Sequence, residues 1–412
     1  MFPDRTAPPP EAPDPPPHRG SGPALLGYAA VRLVGLAVLL VAASAAGEDA
    51  WHRLKGRWDA VWYTRIAEHG YGYEVTLPDG GGVHSDLAFF PLLPALERAL
   101  SAVLPVSPAT AGLLVSWTAA LAAAWGIHAV GAHIAGPRAG VVLAVLWGVY
   151  PTAFVQSMAY TESLFTAFAA WSLYAVLRGR WVTAGALSAL AGLTRPSAVA
   201  LVAALGVTAL ATVAARRRGP ERLGPVPLVP VPLVPEPLVP VPLVPVPLVP
   251  VPLIAGMLLA PLGWLAYAAF VAVRLGSPTA YFDVQAAWGN RVDGGVALAR
   301  FVAAQLTGPH PLAGVGLIAA FGLLGWALWL CVRQRQPLPV LVYTLVIVAV
   351  SLVGAAYFGS RPRLIMPAFP LLLPAAVALA RLRDRYLAAV LAALALASAV
   401  YGAFTLLGPG PP

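Results

Sequence analysis

Residues 108–133 read PATAGLLVSWTAALAAAWGIHAVGAH. The stretch holds no Asp, Glu, Lys or Arg. A helix of about 20 apolar residues crosses the hydrocarbon core of a bilayer. In lipid only helices and closed barrels satisfy their own backbone polar groups. The apolar residues run on rather than alternate, which favours a helix over a barrel strand. Comparable runs occupy 24–46, 138–157, 160–178, 181–194, 197–214, 251–273, 312–332, 338–358, 364–381 and 386–407. The sequence therefore predicts an all-α polytopic membrane protein with about eleven transmembrane helices.

Composition agrees. The 412-residue chain is 59% hydrophobic and 10% charged, where soluble domains carry roughly 25% charged residues. The formal net charge is +9. On a soluble chain that charge would suggest nucleic acid. Here Lys55 is the only lysine, and the arginines sit mainly at helix ends and in loops. That is the pattern of topology signals and anionic-lipid contacts. Cys331 is the only cysteine, which excludes an intramolecular disulfide and argues against a cysteine-based metal site.

Residues 88–104 (AFFPLLPALERALSAVL) are apolar but short, with Glu97 and Arg98 in the body and Pro91 and Pro94 in the first turns. They read as an interfacial helix lying on the membrane. With that stretch left out of the span count and the N-terminus in the cytoplasm, cytoplasmic segments hold Arg5, Arg19, Arg138, Arg178, Arg180, Arg216, Arg217, Arg218, Arg222, Arg333, Arg335, Arg381, Arg383 and Arg385. The short outer loops hold only Arg195, Arg361 and Arg363. This satisfies the positive-inside rule.

Four regions follow. Residues 1–23 form a Pro-rich, disordered cytoplasmic tail without the basic start of a cleaved signal peptide, so the first helix reads as a retained anchor. Residues 24–214 form an N-terminal transmembrane catalytic module with a large extracytoplasmic loop, 47–107. Residues 215–250 are a basic and Pro-rich cytoplasmic loop. Its VPLVP repeat cannot be helical, since proline removes donors and clashes with the preceding turn; extended polyproline II is expected. Residues 251–412 form a C-terminal transmembrane module.

The unusual polar residues collect on the outer side. They lie in RWDAVWYTRIAEHGYGYE (57–74), HSDLAFFPLLPALERAL (84–100), AYTESLF (159–165), TRPS (194–197), YFDVQAAWG (281–289) and GSRPR (359–363). Acids and arginines among aromatics at a membrane surface are costly unless paired or used. An acid can deprotonate a hydroxyl, arginines can hold a phosphate, and aromatics can stack on sugar or lipid.

WDAVWYTRIAEHGYGYE, AFFPLLP, YPTAFVQSMAYTESLF and RGRWVTAGALSALAGLTRPSAVA, in that order, resemble the GPI mannosyltransferase II (PIG-V-type) family of GT-C membrane glycosyltransferases. RPRLIMPAFPLLLP fits more loosely. The arginine- and alanine-rich composition points to a bacterial member. The resemblance implies a GT-C-like bundle whose first outer loop contains interfacial helices. It also implies transfer of a sugar, mannose above all, from a polyprenyl-phosphate donor to a lipid or glycan acceptor, with inversion and without a nucleotide sugar.

Asp59, just after the first span and at the start of an outer helix, is the expected general base; it also suits a helix N-cap. Glu74 is a candidate acceptor-binding acid. Tyr160 and Glu162 are expected to line the site, although an acid at a helix start is also explained by the dipole. Arg195, Arg361 and Arg363 are candidate phosphate ligands, because guanidinium binds phosphate oxygens in a planar fork. Trp58, Gln285 and Trp288 are candidate substrate contacts; Trp62, Tyr63, Phe89 and Phe90 read as interface aromatics. His69, His84 and Asp86 could join Glu74 on a metal, but their spacing does not demand it. No metal and no cofactor are expected, nor is nucleic acid a partner. Two other classes compete: a transporter or flippase of lipid-linked sugars, and a non-catalytic subunit of an envelope-assembly complex. A transporter would show internal repeats and polar residues at mid-membrane; here the polar residues map to one face.

Overall fold

The computed structural model describes residues 20–77, 82–217, 250–309, 311–355 and 357–410. Most of the expected N-terminal tail and nearly all of the VPLVP repeat lie outside the described residues.

The chain begins with α1 (Ser21–Ala46), 26 residues at about 1.5 Å each, enough to cross a bilayer. It starts a few residues before the expected tail ends. Gly47, with φ 71, closes it by returning its N–H to Ala43 and Ser44, a left-handed stop that glycine adopts without strain. The segment between α1 and α5 follows as α2 (Ala50–Lys55) and α3 (Asp59–His69), then a hairpin of β1 (Glu74–Thr76) and β2 (Val83–Ser85), then α4 (Leu92–Val103). The hairpin, in register Glu74↔Ser85 and Thr76↔Val83, is an addition to the expected all-helical loop. The 12-residue α4 is too short to span.

Next come α5 (Pro108–Ala135), α6 (Pro137–Gly148), α7 (Glu162–Leu177), α8 (Trp181–Gly192) and α9 (Val199–Arg217). Ser107 caps α5 through the Thr110 N–H, with Pro108 at its first position, a favourable start on both counts. The helix expected over 138–157 stops at Gly148. Residues 149–161 are irregular apart from a 3-10 turn at Ala153–Ser157. Pro151 lies in that break; it lacks an N–H and disfavours helix before it.

The second half holds α10 (Val251–Leu259), α11 (Leu262–Leu275), α12 (Ala280–Ala287), α13 (Val296–Thr307), α14 (Pro311–Arg333), α15 (Leu338–Val353), α16 (Arg361–Ile365), α17 (Leu373–Leu379) and α18 (Asp384–Leu407). The span expected over 364–381 is instead bent by 78° between residues 358–365 and 369–379. Pro367 and Pro370 fall in or beside that break, again removing donors the helix would need. The helix expected over 338–358 ends at Val353.

Among the described residues six helices are long and apolar enough to cross a membrane, or seven if the bent pair counts as one. The other expected spans coincide with the shorter apolar helices α6, α7, α8 and α15. The chain is a multi-pass membrane protein.

One apolar core joins α1, α5, α6, α7, α15 and the bent pair through Trp147, Phe154, Phe165, Tyr343 and Phe369. Glycine allows close helix contact elsewhere. A Cβ at Gly185 would strike the Gly256 carbonyl, and one at Gly263 would strike the Ala189 carbonyl. Small residues at such contacts let backbones approach, which membrane helices exploit in the absence of a hydrophobic driving force. The outward face of α14 exposes Leu312, Leu323, Trp326 and Trp329, as suits lipid.

Candidate active site

Asp59 opens α3. The residue before it, Trp58, has φ 52 and ψ −127, a conformation that costs a bulky residue about 1–3 kcal/mol. Two contacts hold the turn. The Arg57 guanidinium lies 4.1 Å over the Trp58 ring, and the Asp59 N–H donates to the Tyr160 hydroxyl at 3.2 Å. Tyr160 comes from the irregular segment before α7, so the base of α3 is set by a residue a hundred positions away.

Four segments then converge. Arg363, on α16, places Nη1 2.8 Å from Asp59 Oδ2 and 3.8 Å from Glu162 Oε1. Arg195, in the turn between α8 and α9, pairs with the same Glu162 oxygen. Glu162 is the first residue of α7, where the helix dipole favours a negative charge. The result is a chain Asp59–Arg363–Glu162–Arg195, two acids alternating with two arginines. Glu162 is sealed from solvent, with 1% of its side chain exposed, whereas Asp59 keeps 29% and the arginines 12–13%. Burying one charge of such a set without its partner is far more costly than burying the pair. Asp59 is thus the open end of a largely buried array.

Arg363 also lies 5.2 Å over the Tyr160 ring. Tyr63, one turn into α3, shares a hydrogen bond of 3.3 Å with Thr161 Oγ1. Burial, and then the charge of Asp59, push the Tyr63 phenol above its ordinary value, so it stays protonated beside the acids.

Asp59, Tyr160, Glu162, Arg195 and Arg363 therefore meet in one place. The other candidates do different work. Arg361 donates to the carbonyls of Ser351, Leu352 and Gly354 at 2.8–3.2 Å and so closes the end of α15. Trp58 stands beside Asp59 in the chain, with its ring under Arg57. Gln285 donates to Ala88 O and Trp288 to Ser85 O, each at 3.0 Å, fastening α12 to the segment before α4. Trp288 stacks on His84 at 4.1 Å and meets Trp62 edge-on at 5.0 Å. This aromatic group borders the face of α3 that carries Asp59. Glu74 is exposed on the hairpin. Asp86 accepts the N–H groups of Gly72 and Tyr73, and His69 is beside Glu68. Tyr63, Thr161 and the strained Trp58 backbone were not singled out as site features by the sequence.

Residues 36–214 match the family model described as mannosyltransferase (PIG-V), as the motifs implied. The matched interval contains Asp59, Tyr160, Glu162 and Arg195; Arg363 lies beyond it. No curated protein matches the sequence. Among solved structures, the crystal structure of ArnT from Cupriavidus metallidurans bound to undecaprenyl phosphate is similar, with a TM-score of 0.51 and 15% identity. The alignment covers 89% of this chain and 61% of that one, so this chain spans about three fifths of the length of that neighbour. At this identity the likeness is one of fold, and the fold is the GT-C-like bundle expected from the motifs.

Proposed function

We propose, from the premise that residues 36–214 match the PIG-V mannosyltransferase family, that this protein is a membrane glycosyltransferase drawing a sugar, mannose first, from a polyprenyl-phosphate donor. The undecaprenyl phosphate held by the structural neighbour supports that donor class. The observation that carries the reading is the single arginine, Arg363, shared between a partly open carboxylate and a sealed one.

In this reading the acceptor hydroxyl oxygen bonds to the anomeric carbon from the face opposite the phosphate. The bond from that carbon to the phosphate oxygen breaks, and polyprenyl phosphate leaves with the electron pair. Asp59 takes the hydroxyl proton. Arg363 and Arg195 offer N–H donors where negative charge grows on the leaving phosphate. Glu162 holds both guanidinium groups in place before the donor arrives, so little reorganisation is needed. The products are an inverted glycoside and a polyprenyl phosphate. The reaction uses side chains of this protein alone, and its acceptor, a lipid or glycan, is taken from the extracytoplasmic face.

The test is transfer of label from radiolabelled polyprenyl-phosphate-mannose to a membrane-lipid extract by purified protein. Asp59→Asn should lower the rate by about 10²–10⁴-fold, the usual worth of a positioned base. Equal transfer by the two proteins would make Asp59 structural and end the assignment.

A further inference from the structure

The run 24–46 contains one charge, Arg32, near the middle of α1. A cation at that depth is expensive in a bilayer and marks a residue with work to do. Its work is visible in its partners. Nη1 donates to Gly148 O at 3.1 Å and Nη2 to Ser157 Oγ at 2.8 Å. Gly148 is the last residue of α6, where helix carbonyls lack intrahelical partners and the dipole is negative.

One turn before Arg32, the Tyr28 hydroxyl donates to Gln156 Oε1 at 2.9 Å. Gln156, 1% exposed, uses its amide nitrogen for Trp147 O at 2.9 Å and Met366 Sδ at 3.4 Å. Trp117 on α5 donates to Ser157 O at 3.0 Å. Non-helical backbone at membrane depth is tolerated only where such groups satisfy it.

The two segments joined here carry Glu162 and Arg363, the middle pair of the ion-pair chain. Gln156 and Ser157 lie just before Tyr160 and Glu162. Met366 follows directly on the short helix that carries Arg363. Gln156 touches both breaks, one between α6 and α7 and the other after α16. A cap for α6 would need only a donor to Gly148. A residue reaching from the first break to the second fixes their relative position as well.

We propose that Arg32 and Gln156 are positioning residues of the site: from within the membrane they hold the 156–162 segment against residues 363–366, and so set Arg363 between Asp59 and Glu162. The proposal rests on the transferase reading for its effect on rate, and on geometry alone for its effect on Asp59.

The experiment uses the full-length protein in lipid nanodiscs, with Arg32→Met, Arg32→Lys, Gln156→Leu and the milder Ser157→Ala. Asp59 is modified with a water-soluble carbodiimide and glycine ethyl ester, and its labelling is read by mass spectrometry beside that of Asp86. Asp86 is buried, held by the Gly72 and Tyr73 N–H groups, and reports general loosening. Arg32→Met and Gln156→Leu should raise Asp59 labelling several-fold, toward that of Arg363→Gln, while Asp86 labelling stays at the wild-type level. Arg32→Lys should restore most of the protection, and Ser157→Ala should show a smaller rise. In the transfer assay kcat should fall on the order of 10- to 100-fold, the effect of misplacing a group by about 1 Å, with KM for the donor nearly unchanged.

Wild-type Asp59 labelling in both Arg32→Met and Gln156→Leu overturns the proposal, and so does a rise at Asp86 equal to that at Asp59 in Ser157→Ala. If labelling shifts as expected while no protein transfers sugar, the positioning stands and the transferase reading fails. If wild type transfers sugar and kcat is unchanged in the variants, the transferase reading stands and the positioning role fails.

Discussion

Arg361 and Arg363 sit two positions apart on one short helix, and their side chains separate completely in task. Arg363 answers two carboxylates; Arg361 answers three carbonyls at the end of α15. Sequence could not divide them, because RPR gives both the same composition and the same neighbourhood. The division comes from where α15 ends, which is a property of the fold. Arg363→Gln should reduce transfer by about 10²–10³-fold, the loss seen when one donor to a developing charge is removed. Arg361→Gln should leave kcat near wild type and cost about 1–3 kcal/mol of stability, as expected for hydrogen bonds from a charged group. Kinetics and thermal unfolding on the two variants separate these outcomes; equal loss of kcat in both would return Arg361 to the site. Glu97 offers a residue-scale test outside the site. It is fully buried on α4, with no hydrogen-bond partner for either oxygen among the described residues. Burial first, and then the charge of Glu68, push its carboxyl up to about 9. The acid is neutral in the folded protein at pH 7 and ionised in the unfolded chain. Its folded pKa is raised, so its contribution to stability is complete below the ordinary value of 4.5. That contribution is lost as pH rises toward 9. Glu97→Gln should therefore raise Tm by an amount that grows from pH 5 to pH 9; a pH-independent difference would mean that a donor holds the carboxylate in its charged form.

At the scale of elements, hydropathy located the helices, and chain chemistry decided where they break. The expected spans were legible because an uncharged apolar run has few alternatives in lipid. The irregular stretch 149–161 and the bend after residue 365 were missed because both remain apolar, and a hydropathy reading passes over a proline. Those two breaks bring Tyr160, Glu162 and Arg363 together, so the features hardest to read were the ones that build the site. The hairpin at 74–85 was missed for a different reason: its strands are three residues long, too short for a period to show. Helix packing gives a sharp element-scale prediction. Replacing an interior helical glycine by alanine normally gains up to about 1 kcal/mol. At Gly316 on α14 nothing lies within 4 Å of an added Cβ, and Gly316→Ala should be neutral or stabilising. At Gly263 the same change meets the Ala189 carbonyl and should push α11 away from α8. Thermal unfolding in matched detergent should give opposite signs for the two substitutions; a stabilised Gly263→Ala would mean that α8 and α11 do not pack this closely.

At the scale of the whole molecule, the glycine contacts also order the helices in space. Gly185 meets Gly256, and Gly192 meets Trp264 next to Gly263. Advancing along α8 thus advances along α10 and α11, and the two run parallel. Helix α9, which follows α8 in the chain, runs back beside them, with Leu205 packed among Ala184, Met257 and Ala260. The end of α9 at Arg217 therefore lies on the side where α8 begins, opposite the turn that carries Arg195. The segment that carries α3, the hairpin and α4 joins that turn directly, since the Leu92 N–H donates to Leu193 O at 3.0 Å. The hairpin and Asp59 share the same end through Asp86 and Tyr160. Whichever side holds the site, Arg216 and Arg217 in the last turn of α9 belong to the other. The excess of arginine predicts the orientation, because cytoplasmic loops retain it: Arg217 is expected inside and the site outside. In a Cys331→Ser background, Val83→Cys on the exposed hairpin edge should react with a membrane-impermeant maleimide on intact cells. Arg217→Cys should react only after the membrane is opened. The reverse pattern would move the acceptor to the cytoplasm while keeping the fold. Labelling of both positions from one side would break the parallel pairing of α8 with α10 and α11, and with it the common end on which the ion-pair chain depends.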